Sequence, residues 1–211
     1  MEEKIIQYLR EHFQPEAIIV HGSRASGRAT PHSDWDMVLI SDQNHKGVKT
    51  CLFGNEALDL RIIHSPSEIT TLSEKYVPAL AKGKILYDSS KSLGAKLIEE
   101  AKKMAAPGPG TFMDTMYEAQ KMYMIRTLAR FRDNVHNPIV FTYRFGIFYE
   151  RMFRFWFEHR EEWSMSVHDA IPYIQEQDPE MWKLIQEITE ETSLTQKTEI
   201  TEKIVRHLFS R

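Results

Sequence analysis

Strand-type patterning is confined to the first 88 residues of this chain; from Ser89 onward every apolar stretch recurs at helical spacing. That change of period constrains the fold most, because apolar residues set out for one period do not form a buried face in the other. In the first half, Ile5, Ile6, Leu9 and Phe13 predict a helix over 2–13, ended by Pro15. "AIIVHG", "WDMVLIS" and "EALDLRIIH" read as strands, "TCLF" as a hairpin partner of the third across Gly54–Asn55, and "KILYD" as the last strand. Pro66 and Ser67 open a helix expected over about 67–82. The second half predicts helices at "SLGAKLIEEAKKMA" and at about 112–134, 138–160, 166–176, 179–192 and 195–209. Asn137–Pro138 and Asp178–Pro179 serve as helix starts. The strongest breaker is "AAPGPG" at 105–110. The fold class expected is α+β: a sheet domain in 1–90, then an all-helical bundle in 91–211.

A chain of 211 residues with net charge −3 has no global basic field, so nucleic acid is not an expected partner. The single cysteine, Cys51, rules out an intramolecular disulfide framework and fits a reducing compartment. "MEEKIIQYLREHF" lacks the basic start and apolar run of a signal peptide, and no stretch is apolar enough to span a bilayer. The expectation is a cytoplasmic protein without a membrane partner.

The stretch "VHGSRASGRATPHSDWDMVLI", residues 20–40, sets acidic residues at the mouth of an apolar strand, where Asp is disfavoured. Strand alternation points Asp34 and Asp36 to one side, and mid-strand Asp59 joins them if its strand pairs beside theirs. Three carboxylates that close repel unless cations lie among them. Mg²⁺ suits oxygen ligands completed by substrate phosphates. Gly22 permits a tight turn and close backbone approach to a ligand. Ser23 and Ser33 offer hydroxyls, Arg24 and Arg28 offer charge for phosphate, and no "GK[ST]" of a P-loop follows. His21 reads as a packing residue, and Trp35 as an anchor on the sheet face opposite the carboxylates.

Gly22–Ser23, ten intervening residues and Asp34–Trp35–Asp36 resemble the Gly-Ser and Asp-x-Asp signature of the DNA polymerase beta-like nucleotidyltransferases. Asp59 falls where that family carries its third carboxylate, and the resemblance covers roughly residues 1–90. It implies a mixed sheet binding a nucleoside triphosphate, ATP foremost, with two Mg²⁺ ions. Asp34, Asp36 and Asp59 would be metal ligands, Asp59 alternatively a base, and Gly22 and Ser23 would hold the β- and γ-phosphates. The implied chemistry is attack of an acceptor oxygen on the α-phosphate with release of pyrophosphate.

A sheet domain followed by a helical bundle is similar to the plan of the kanamycin and lincosamide nucleotidyltransferases. This implies a small-molecule, antibiotic-like acceptor and a glutamate base from the helices. Glu118 is the first candidate and Glu150 the second. The alternatives are a protein acceptor, as for antitoxin nucleotidyltransferases, and a non-catalytic nucleotide-binding module. The aromatic and Met residues of 112–160, beginning with Phe112 and Met113, cover more than one face of the second long helix. That helix is therefore either central or a homodimer interface. Arg126, Arg130 and Arg132 read as a solvated face. Arg154 and His159 carry the spacing of HEPN ribonucleases, a weak two-residue motif.

Overall fold

The computed structural model describes residues 1–43, 47–72, 76–89, 91–110 and 114–210. Phe112 and Met113 lie outside them. Two compact units divide the chain, Met1–Gly108 and Pro109–Arg211.

In the first unit, α1 (Glu2–Phe13) leads into a five-stranded sheet. Glu2 and Glu3 in its first turn and Arg10 and His12 in its last complement the helix dipole. The strands are β1 (Ala17–Val20), β2 (Trp35–Ile40), β3 (Gly47–Phe53), β4 (Glu56–Ile63) and β5 (Lys84–Asp88), in spatial order β3-β4-β2-β1-β5. β2 and β4 run parallel and the other neighbours antiparallel, so the sheet is mixed. β3 and β4 form the expected hairpin across Gly54–Asn55.

Alternation divides the strands between two cores. Ile18, Val20, Trp35, Met37, Leu39, Leu58, Leu60 and Ile62 pack with Ile5, Leu9 and Phe13 of α1. Ala17, Ile19, Val38, Ile40 and Ile63 face the other way. There they meet Ile69 and Leu72, Leu80 of α3 (Tyr76–Ala81), and Leu97, Ile98 and Ala101 of α4 (Leu93–Ala105). Asp88, at the end of β5, caps α4 by accepting from the Gly94 and Ala95 amides at 3.2 and 3.0 Å. α4 thus belongs to the sheet unit. Of the helix expected over 67–82, residues 73–75 lie outside the described residues, and the rest forms a 3₁₀ helix, Pro66–Thr71, and then α3. Leu72 is extended at ψ 149°, which breaks the run, and Pro78 lacks the N–H that a longer helix would use.

The second unit holds α5 (Asp114–Asp133), α6 (Pro138–Glu158), α7 (Val167–Gln177), α8 (Pro179–Glu190) and α9 (Leu194–Leu208). Asn137 caps α6 and Asp178 caps α8, each with Pro at the first turn. Within this unit α6 is central. Phe141, Phe148, Met152, Phe155, Trp156 and Phe157 are buried, and Phe145, Tyr149 and Phe153 partly so. Asp178 joins three helices through its side chain. It accepts from Trp156 Nε1 at 2.9 Å and from Arg160 at 2.7 Å, and lies 2.9 Å from His207 Nε2. Burial raises its pKa, but hydrogen bonds from Trp156, His207 and the Met181 amide outweigh that and hold it below the usual carboxylate range. Among the described residues no helix is long and apolar enough to cross a membrane.

Candidate active site

Gly22 follows β1 directly and opens α2 (Gly22–Ala25), a single turn of helix. Its φ of +68° lies in the left-handed region, open to glycine at little cost. A Cβ at this position would sit 2.7 Å from Asp36 Oδ2, so the backbone of the Gly-Ser turn lies directly against the Asp36 carboxylate. The two segments are joined again where the His21 amide donates to the Asp36 carbonyl at 2.9 Å. The His21 side chain is buried, edge-on to Tyr76 with centroids 5.5 Å apart, in keeping with a packing residue.

Asp36 and Asp59 are direct partners in the parallel β2–β4 register. Both share the sheet face of Val38 and Ile63, while Trp35 packs on the opposite face as its alternation requires. Neighbouring strands are about 4.8 Å apart, which brings these two carboxylates side by side. Thr50, the β3 partner of Asp59, donates its hydroxyl to Asp59 Oδ1 at 3.1 Å and fixes one oxygen.

Asp34 lies at the mouth of the strand, where the expected start of "WDMVLIS" at Trp35 leaves it. β2 begins at Trp35, so Asp34 is exposed in the loop before the strand, outside the ladder that fixes Asp36. Among the described residues no three His, Cys, Asp or Glu side chains gather into a ready-made metal cluster.

Arg24 is engaged inside the protein. Its Nε donates to the Asp34 carbonyl at 3.0 Å, and one terminal nitrogen donates to the Ser33 carbonyl and, at 2.7 Å, to Glu56 Oε2. The guanidinium lies over the Trp35 ring at 4.2 Å, and Trp35 Nε1 donates to the same Glu56 oxygen at 2.8 Å. The Arg24–Glu56 pair therefore ties α2, the Asp34 loop and the start of β4 together. The Ser33 hydroxyl accepts from the Thr30 amide at 2.9 Å and closes the turn before Asp34. Arg28 is exposed and donates to Ser26 Oγ at 3.2 Å. The carbonyl of Ser23 accepts from Arg28 N at 2.9 Å and from the Ser26 hydroxyl at 3.1 Å.

Glu118 on α5 and Glu150 on α6 are both exposed. Arg132 pairs with Glu202 of α9 at 2.7 Å, while Arg126 and Arg130 are exposed. His159 is buried, with Nε2 3.0 Å from Gln120 Oε1 and Nδ1 3.2 Å from the Leu208 carbonyl, whereas Arg154 lies exposed beside Glu158. The two residues of the ribonuclease motif are thus separately occupied.

Three residues of this neighbourhood were not singled out from the sequence: Thr50, Glu56 and Arg61. Alternation in "DLRI" places Arg61 on the face of Asp59, a signal present in the sequence. Thr50 and Glu56 became visible only with the β3–β4 register and the position of α2.

Among solved structures, a nucleotidyltransferase-like protein from Exiguobacterium sibiricum is similar at 18% identity and TM-score 0.46, covering all of this chain and 74% of its own. A structure described as a toxin-antitoxin with AMP-PNP is similar at 16% identity and TM-score 0.35, covering 59% of this chain and 95% of its own. Both are distant likenesses. No curated protein matches the chain. The family described as "Polymerase beta, Nucleotidyltransferase" matches residues 3–92, the segment that carries Gly22, Asp36 and Asp59, and this segment is a nucleotidyltransferase domain of that family.

Proposed function

We propose that the chain transfers a nucleoside monophosphate from a nucleoside triphosphate, ATP foremost, to a hydroxyl of a small-molecule acceptor. The observation that carries this reading is the close approach of the Gly22 backbone to Asp36, with Asp59 paired beside it. A turn that meets phosphates and a carboxylate pair that meets a divalent cation are thereby neighbours.

The donor set is consistent with magnesium: carboxylate oxygens side by side on one sheet face, with Asp34 available at the strand mouth. A hard cation of this kind is commonly held by one or two carboxylates and completed by substrate phosphates, so a ready-made third ligand is not required. Bound there by Asp36 and Asp59, with Asp34 as a further ligand, Mg²⁺ would neutralise triphosphate charge and polarise the α-phosphate.

The protein residues have separable tasks. Gly22 lets the backbone approach the β- and γ-phosphates, and Ser23 supplies an amide and a hydroxyl beside it. Asp36 fixes the position of the triphosphate relative to the sheet. Arg24 and Glu56 hold the loop from which Asp34 projects, and Arg28, exposed on the same loop, would meet the outer phosphates. In the transfer, a bond forms between the acceptor oxygen and the α-phosphorus, and the bond to the bridging β-oxygen breaks, releasing pyrophosphate. The hydroxyl proton passes to a carboxylate. Asp59, oriented by Thr50, takes it in this reading, and Glu118 of α5 is the alternative base.

The test is incubation with α-labelled nucleoside triphosphates, Mg²⁺ and an acceptor panel, following pyrophosphate and transferred label. Turnover is expected in the wild type and a loss of at least about a hundredfold in Asp36→Asn and Asp59→Asn. A loss in Glu118→Gln matching that in Asp59→Asn would move the base role to the helices. Label on a co-purifying protein would replace the small-molecule acceptor with a protein one, and absence of turnover with every triphosphate would remove the proposal.

A further inference from the structure

We infer that the acceptor is a small molecule that carries an anionic group near its reactive hydroxyl, and that Arg61 binds that group. This rests on the nucleotidyl-transfer reading above. Across the sheet, the Gly22 turn leaves β1, Asp36 lies on β2, Asp59 on β4, and β3 is outermost. With the phosphates at the β1 end, in-line displacement sends pyrophosphate towards that end. The attacking hydroxyl then comes from the side of β4 and β3.

That side has a distinct chemistry. By strand alternation Arg61 shares the face of Asp59, two residues further along β4. Its β2 and β3 partners are Val38 and Val48, neither of which can pair with a charge. Arg61 is half-buried, its Nε is buried without a hydrogen-bond partner, and its guanidinium makes no hydrogen bond or ion pair among the described residues. Arg24, by contrast, is held by two backbone carbonyls, a carboxylate and an aromatic ring.

A desolvated guanidinium donor left unpaired is unfavourable, and an anion recovers that loss through charge-assisted hydrogen bonds. Val48 and Leu52, on the same face of β3, are 59% and 72% exposed and flank the Thr50–Asp59 pair. They offer apolar contact for the rest of the acceptor. A cation at this position repels polycationic acceptors of the aminoglycoside type, which narrows the antibiotic-like class expected from the domain plan.

The inference is tested by calorimetric titration in the presence of Mg²⁺ and α,β-methylene ATP. The probes are 6-hydroxyhexanoate, 1,6-hexanediol and 6-amino-1-hexanol, which share a chain and a hydroxyl and differ in charge. The wild type should bind the carboxylate roughly tenfold more tightly than the diol, and the amine least well. Arg61→Gln should lose the preference while still binding the nucleotide, and Arg61→Lys should retain most of it. Equal binding of the three probes, no binding of any of them, or a preference that survives in Arg61→Gln overturns the assignment. Failure of the wild type to bind the nucleotide at all is read in the preceding titration and refutes the nucleotidyl-transfer reading itself.

Discussion

Replacing Gly22 by alanine separates two contributions that the structure assigns to one residue. The first is backbone strain: at φ +68° a Cβ costs about 1–2 kcal/mol. The second is contact, because the new Cβ falls 2.7 Å from Asp36 Oδ2, and relieving overlap of this kind costs a further ~1–3 kcal/mol. Gly27 is the internal control. It has a similar φ of +75°, yet a Cβ there meets nothing within 4 Å, so Gly27→Ala should show only the strain. With a urea m-value of about 2 kcal/mol/M, the excess loss in Gly22→Ala lowers the unfolding midpoint by a further ~0.5–1.5 M relative to Gly27→Ala. The relief must also displace either the turn or the Asp36 carboxylate. Mg²⁺-dependent nucleotide affinity should therefore fall at least about tenfold in Gly22→Ala and stay near wild type in Gly27→Ala. Equal midpoints together with undiminished nucleotide affinity in Gly22→Ala would refute the coupling of turn to carboxylate.

Further outcomes are expected elsewhere in the molecule. Asp178→Ala leaves Trp156, Arg160 and His207 without their shared acceptor and should cost about 3–5 kcal/mol by urea unfolding. Because the folded-state pKa of Asp178 is depressed, its ionised form contributes stability above the unfolded carboxylate pKa. That contribution is lost as pH falls through the folded value, so the difference between wild type and Asp178→Asn should narrow in acid. Glu56→Gln weakens the pair with Arg24 while keeping an oxygen acceptor, and should reduce nucleotide affinity more than it reduces stability, for which about 1 kcal/mol is expected. Arg61→Met removes an unpaired buried donor and should raise the unfolding free energy by ~1 kcal/mol, measured by the urea midpoint.

Local chemistry made much of this legible in the sequence. The turn at Gly22, the hairpin at Gly54–Asn55 and the helix starts at Asn137 and Asp178 depend on residues whose own φ preference or side-chain acceptor dictates the conformation. Asp36 and Asp59 could be placed on one face by period-two alternation, provided β2 and β4 were neighbours, and the register pairs them directly. Other features depend on where the ladder ends and on contacts distant in sequence. Asp34 has the parity of Asp36 but lies one residue before the first ladder position, so parity alone does not say how firmly it is held. Arg24 offers charge for phosphate in the sequence, and its contact with Glu56, 32 residues away, has no local signature. Asp178 reads as a helix start in the sequence, and its three partners 18 to 29 residues away have no local signature. The helix expected over 67–82 failed because an apolar period cannot reveal the extended Leu72 that divides it.

In the proposed reaction the Gly22 turn and the Asp36–Asp59 pair act together as one metal-dependent triphosphate site. The most direct measurement is thermal unfolding with each nucleoside triphosphate, with and without Mg²⁺, for wild type and Asp36→Asn. A nucleotide at ~100 times its dissociation constant adds about 2.7 kcal/mol to the folded state, enough to move the transition by several degrees. Stabilisation by at least one nucleotide is expected, requiring Mg²⁺ and disappearing in Asp36→Asn. The same stabilisation in the variant, or none with any nucleotide in the wild type, would contradict the proposed site.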